Sequence, residues 1–155
     1  VAATNEEAIH ASALRIISIR PHSSFELRRK LRMKGGDTAT VDRIVERLVE
    51  VDLINDERFA RDYLEYAFLR KSWGKRKVRA GLMERGIDRT IVEDLLGSPD
   101  ATRMEEEGAR AFIEKETRGK ELTGEQMKRL MSKLAARGFG WDTVTQVVRD
   151  YPGSG

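Results

Sequence analysis

The chain has 155 residues, 39% of them hydrophobic and 35% charged, against about 45–50% apolar and about 25% charged in an average domain, so it is thinly cored and well solvated. Lysine and arginine outnumber aspartate and glutamate by 29 to 26, a net charge of +3, which makes the distribution of charge more informative than its total. The absence of cysteine excludes disulfides, thiolate catalysis and cysteine-ligated zinc, and no apolar run approaches the roughly 18 residues that span a bilayer.

In chain order, the opening Val1-Ala2-Ala3-Thr4-Asn5-Glu6-Glu7 lacks the basic start and apolar centre of a secretory signal, so a cytoplasmic location without a membrane partner is expected. Ile9, Ala13, Leu14, Ile16 and Ile17 form an apolar stripe at helical spacing. Pro21 ends that helix, because the residue before proline is pushed out of helical angles. Ser23 or Ser24 caps a second helix that buries Leu27 and Leu31, and Lys34-Gly35 closes it, a cation at the negative dipole end followed by a glycine able to turn left-handed. Residues from Asp37 to Thr40 supply cap candidates for a third helix buried through Val41, Ile44, Val45, Leu48 and Val49.

Asn55-Asp56 caps a fourth helix carrying Phe59, Tyr63, Leu64, Ala67 and Phe68. A short fifth helix is predicted around Lys75 to Arg85, with Gly81 tolerated inside it, and a sixth from about Asp88 to Leu96. Gly97-Ser98-Pro99-Asp100 is the clearest break in the chain and predicts a linker. A seventh helix carries Met104, Ala111 and Phe112 on a charged exterior and ends at Arg118-Gly119-Lys120. Thr123-x-x-Gln126 matches a capping box for the eighth. No segment alternates strictly enough for a strand, and the fold class expected is all-α.

A motif recurs three times. Leu27-x3-Leu31-x2-Lys34-Gly35-x5-Val41-x2-Ile44-Val45 returns as Val78-x3-Leu82-x2-Arg85-Gly86-x5-Val92-x2-Leu95-Leu96. It returns again as Leu130-x3-Leu134-x2-Arg137-Gly138-x5-Val144-x2-Val147-Val148, at offsets of 51 and 52 residues. Such periods mark stacked supersecondary units. Three three-helix repeats are expected, over residues 6–53, 54–97 and 100–150. Gly35, Gly86 and Gly138 are read as helix C-caps. Lys34, Arg85 and Arg137 serve either the helix dipole or an anion.

No catalytic constellation emerges. His10 and His22 have no ligand spacing for a metal, and Met33-Lys34-Gly35-Gly36-Asp37-Thr38 lacks the P-loop pattern. Glu105-Glu106-Glu107 reads as a solvated face, since consecutive helix residues point apart. A non-enzyme without cofactor or metal is expected. What remains is positive charge. Residues 15–34 hold Arg15, Arg20, Arg28, Arg29, Lys30, Arg32 and Lys34 against the single acid Glu26. The ten residues 70–79 hold Arg70, Lys71, Lys75, Arg76, Lys77 and Arg79 with no acid. Lys115, Arg118, Lys120, Lys128, Arg129, Lys133 and Arg137 form a third, diluted cluster. An extended basic surface points to a long anionic partner. Trp73, inside the densest window, either stacks on a base or caps a helix contact. A stand-alone nucleic-acid-binding module and a helical adaptor for an acidic protein surface both fit these features.

Four motifs add a family. Pro21-x3-Phe25-Glu26-Leu27-Arg28-Arg29-Lys30-Leu31, Leu53-Ile54-Asn55-Asp56-Glu57-Arg58-Phe59-Ala60, Gly74-x2-Lys77-Val78-Arg79-x2-Leu82-x2-Arg85-Gly86-Ile87 and Arg137-Gly138-Phe139-x-Trp141-Asp142-x-Val144 resemble, in this order, the RecX family of bacterial RecA regulators. The resemblance spans roughly residues 8–150. Gly36 and Gly81 depart from it, standing where an apolar residue and a polar helix former are usual. A monomer is expected, and the resemblance implies an elongated, curved array of helical repeats that binds RecA and the RecA–DNA filament along its groove. It implies restraint of ATP hydrolysis, strand exchange and co-protease activity in homologous recombination, DNA repair and the SOS response. Single- and double-stranded DNA are possible further partners. On charge density, Arg28, Arg29, Arg70, Lys71, Lys75, Arg76, Lys77 and Arg79 are the candidate contacts for RecA and the DNA filament.

Overall fold

A computed structural model describes residues 2–154, with side chains from Asn5 to Gly153. It is all-α, an elongated array of three-helix units. The first unit comprises α1 (Ala2–Ile19), α2 (Ser24–Met33) and α3 (Thr38–Glu50). The second comprises α4 (Asp56–Leu69), α5 (Lys75–Glu84) and α6 (Arg89–Leu96), and the third α7 (Pro99–Thr117), α8 (Gly124–Ala136) and α9 (Trp141–Arg149).

Local chemistry sets the helix ends. Ser23 caps α2 in a reciprocal box with Glu26, Asp37 caps α3, Asn55 caps α4, and Thr123 with Gln126 forms the box on α8. Each cap of this kind contributes about 1 kcal/mol by satisfying amides that the helix cannot. Gly35, Gly86 and Gly138 take φ of +94°, +71° and +95° just past α2, α5 and α8. These left-handed angles let the chain turn back toward the third helix of each unit.

Each unit has its own core. Leu27, Leu31, Val41 and Val45 centre the first, Leu64, Phe68, Val78 and Leu82 the second, and Leu130, Leu134, Phe139 and Val144 the third. Burying a side chain of this size contributes roughly 1.5–3 kcal/mol. Three positions expected inside lie on the surface: Leu14 is 39% and Val49 47% exposed, and Ala111 is exposed. Leu14 and Val49 each sit beside a better-placed neighbour, Ala13 and Leu48, which takes the core position.

The expected linker at Gly97-Ser98-Pro99-Asp100 is instead a tight corner. Ser98 caps α7 and Pro99 is its first residue, so α6 runs almost directly into α7. The first half of α7 then builds the second core rather than the third, with Ala101 buried in it and Met104 against it. Gly108 brings α7 onto α4 so closely that a Cβ there would overlap the Phe68 carbonyl.

The motif also joins the units. The N-terminus of α2 sits on the C-terminal Arg85-Gly86 of α5, and the N-terminus of α5 sits on Arg137-Gly138 of α8. The second helices therefore follow one another end to end as a column, α8 to α5 to α2. Lys34-Gly35, the corresponding end of α2, closes the column, and a Cβ on Gly35 would meet nothing within 4 Å.

Candidate nucleic-acid and protein interface

The densest basic window lies at the joint between the second and third units. Three successive backbone amides at its centre, Gly74 to Arg76, are held by the third unit. The amide of Gly74 donates to the Arg137 carbonyl at 2.8 Å and that of Arg76 to the Gly138 carbonyl at 3.1 Å. Between them, the Lys75 amide donates to Oε2 of Glu105 at 2.6 Å. No side chain of its own unit caps α5; the first-turn amides that a helix leaves open are satisfied from α7 and α8.

Glu105 is the residue of this joint that its sequence setting conceals. It lies in the acidic run read as a solvated face, yet it is 3% exposed, and its other oxygen accepts from the Thr143 hydroxyl at 3.2 Å. One carboxylate thus ties α5, α7 and α9 together. Its burial was signalled by Ala101, Gly108 and Ala109, small residues at i−4, i+3 and i+4 that mark a packed face.

The eight nominated cations divide into three groups. Arg28 pairs with Asp42 at 3.2 Å and Arg79 with Glu93 at 2.8 Å. These are the same bridge in two copies, 51 residues apart at both ends, and the third copy replaces it with Met131 and Thr145. The Arg79 hydrogen bonds hold the Glu93 carboxyl below its usual range. Lys75 and Arg76 act within the joint, Lys75 Nζ on the Thr102 hydroxyl at 2.8 Å and the Arg76 guanidinium on the Phe139 carbonyl at 3.3 Å. Arg29, Arg70, Lys71 and Lys77 have no carboxylate partner among the described residues. Lys71 lies 5.7 Å from the Tyr66 ring centre and Lys77 4.4 Å from that of Trp73. Trp73 is half-buried against the second core, which favours its helix-capping reading over base stacking.

Two further motif positions find partners inside the molecule. Arg137 spans the joint, donating to the Ser72 carbonyl at 3.0 Å and to that of Lys71, with its guanidinium 4.6 Å from the Phe112 ring centre. Arg85 lies 4.7 Å from the Tyr63 ring centre. Tyr63 in turn explains Gly81, where a Cβ would overlap the phenol oxygen; close approach, rather than tolerance, keeps that glycine. Burial of Tyr63 raises its phenol above the usual pKa.

The first joint carries a second basic surface. Phe25, Arg29, Lys30, Met33, Glu84 and Arg85 line a cleft of about 520 Å³ where α2 meets α5. Phe25 and Met33 are 42% and 79% exposed. Beneath the neighbouring turn, buried His22 has Nδ1 2.8 Å from the Arg20 carbonyl and Nε2 2.7 Å from Lys30 Nζ. The ring therefore donates from Nδ1 and accepts from the ammonium at Nε2. Burial, with Arg20 and Lys30 nearby, depresses its pKa. For Glu26, burial acts to raise the pKa, but hydrogen bonds from Arg20 and the Ser23 amide prevail and lower it.

No group of three histidine or acidic side chains among the described residues is placed to hold a metal ion, and no helix among them is long and apolar enough to cross a membrane.

Comparison with known proteins assigns the family. Residues 10–48 match the first three-helix domain of RecX and residues 55–96 the second. The regulatory protein RecX of Chlorobaculum tepidum is 33% identical over 138 residues, covering 88% of this chain and 84% of that protein. RecX of Chlorobium limicola is 34% identical over 93% of this chain and 88% of its own length. The crystal structure of RecX from Lactobacillus salivarius superposes with a TM-score of 0.83 at 22% identity, covering 96% of this chain and 97% of that one. On the two domain matches and these relatives, this chain belongs to the RecX family of regulatory proteins.

Proposed function

We propose that the chain binds RecA and the RecA–DNA filament and modulates, mostly by inhibition, its ATPase, strand-exchange and co-protease activities. The reading rests on family membership. The observation in this chain that supports it is the set of cations left without carboxylates at both joints, Arg29 at the first and Arg70, Lys71 and Lys77 at the second. They lie along an elongated array, so contacts of modest strength made together multiply through effective concentration. The site supplies charge and shape, and no residue in it is arranged for bond-making chemistry.

The test is DNA-dependent ATP hydrolysis by a preformed RecA filament, measured with the wild-type chain and with Arg29→Gln/Arg70→Gln/Lys71→Gln. The wild type slows hydrolysis at substoichiometric amounts. The variant loses most of that effect at low salt and less of it at high salt, where screening already weakens the same charges. Unchanged hydrolysis with several-fold excess of folded wild type would overturn the function, and full inhibition by the variant would overturn the assignment of these cations.

A further inference from the structure

The two tryptophans stand in opposite circumstances. Trp73 packs against the second core beneath Lys77. Trp141 is 68% exposed and enters none of the ring–ring or cation–ring contacts among the described residues. An exposed indole is a large apolar surface left in water, and this one is held firmly in place. It is the first residue of α9, set between Phe139, 1% exposed, and Val144, fully buried.

The same short segment touches the basic window. Phe139, two residues before the indole, accepts from the Arg76 guanidinium, and Gly138 accepts from the Arg76 amide. A Cβ on Gly138 would lie 2.6 Å from the Lys77 amide nitrogen. The fold therefore brings the segment leading into Trp141 to the N-terminal turn of α5, where Arg76 and Lys77 are exposed and have no carboxylate partner among the described residues. Asp142 is the one acid in the first turn of α9.

What surrounds the indole selects the ligand. A protein hot spot places its aromatic anchor inside an apolar, water-excluding patch. Among the described residues, every other exposed large hydrophobic side chain, from Leu14 to Met83, belongs to the first two units. Trp141 is solitary in the third, at the end of the segment that packs on the Arg76–Lys77 turn. An isolated ring next to positive charge is the arrangement of single-strand binding surfaces, in which a base stacks on the aromatic face and the flanking phosphates meet lysine and arginine.

We propose that the joint between the second and third units binds single-stranded nucleic acid, one base stacking on Trp141 while Arg76 and Lys77 hold the adjacent phosphates. This rests on the reading of the chain as a partner of a RecA–DNA filament and assigns the strand-contacting part of it.

The experiment uses the full chain carrying Trp73→Phe, which leaves Trp141 as the single indole, titrated with oligothymidylate. The indole emission is quenched to saturation as the oligonucleotide binds. Trp141→Ala lowers affinity roughly tenfold, in the range of one lost stack, and Trp141→Phe recovers part of it. The dependence of log affinity on log salt stays the same in Trp141→Ala, whereas Lys77→Gln flattens it by about 0.7 for the lost phosphate contact. Absence of quenching, absence of binding, or unchanged affinity in Trp141→Ala would overturn the proposal. So would weakened binding of Trp141→Ala to RecA without DNA, alongside unchanged oligothymidylate affinity, because it makes the indole a protein contact. Wild-type inhibition of RecA without quenching sinks this proposal alone; quenching without any inhibition sinks the regulatory reading and leaves the strand site standing.

Discussion

The two joints use the same motif and hold by different means. At the first, side chains do the holding. The Ser23 hydroxyl donates to the Arg85 carbonyl at 2.6 Å, the Ser24 amide and hydroxyl both donate to Asp56, and the Phe25 ring lies over Gly86. At the second, the Arg76 and Arg137 side chains also cross, but there backbone meets backbone as well. Gly74 and Gly138 approach so closely that a side chain on either would collide with the other unit's main chain. Buried Glu105 then completes the cap. A contact made through side chains can yield by changing rotamers. One made through two glycine backbones has no such freedom. The second joint is the rigid one, and it also carries the densest positive charge.

The largest test of that contrast is Gly138→Ala beside Gly35→Ala. The two glycines have nearly the same φ, +95° and +94°, so the left-handed strain of about 1–2 kcal/mol is common to both. Only Gly138→Ala also forces the units apart, and its loss of stability is expected to reach about 3 kcal/mol or more. Thermal unfolding of the two variants checks this, and equal destabilisation would mean that the second joint has slack.

Next in size is Glu105→Ala, which strands the Lys75 amide and the Thr143 hydroxyl and is expected to cost about 2 kcal/mol. Glu105→Gln keeps an acceptor for the amide and loses less. Asp56→Ala at the first joint is expected to cost about 1 kcal/mol, because the half-buried Ser24 groups can turn to water. Chemical denaturation of the three variants orders them; a larger loss for Asp56→Ala would reverse the assignment of the rigid joint.

The smallest effect is an acid sensitivity confined to the first unit. His22 has a folded pKa below its ordinary value, so the unfolded chain binds the extra proton first. Its contribution is fully present above the ordinary histidine pKa of about 6.5 and is lost as pH falls through the folded value. Protonation would set an Nε2–H against the Lys30 ammonium, with Arg20 nearby and Glu26 as the opposing charge. Stability measured from pH 7.5 to 5 should fall less steeply in His22→Gln than in the wild type, and parallel curves would remove histidine from the account.

The sequence disclosed what is decided within one turn of helix. Ser23 with Glu26, Thr123 with Gln126 and the three basic–glycine endings are local, and each acts where its spacing places it. What it withheld depends on partners far along the chain. Glu105 looks like one of three solvated acids, because its partners are 30 and 38 residues away. Gly81 looks merely tolerated until Tyr63 is seen above it. The tryptophans differ for the same reason: Trp73 sits in the more basic window, but the second core draws it in, and Trp141 is left outside. Arg28 and Arg79 counted as free charge until Asp42 and Glu93, 14 residues along on the following helix, came across to them.

The column of second helices has a consequence for how the chain is made. Each unit is seated on the one that follows it, through the 62-residue separation of Ser23 and Arg85 and the 63-residue separation of Arg76 and Phe139. Synthesis runs the other way. When the first unit leaves the ribosome its seat has not been translated, and the donors at the start of α5 stay open to water until α8 is complete. The first joint can therefore close once α5 is made, ahead of the second, and the basic window reaches its final shape only when nearly the whole chain has emerged.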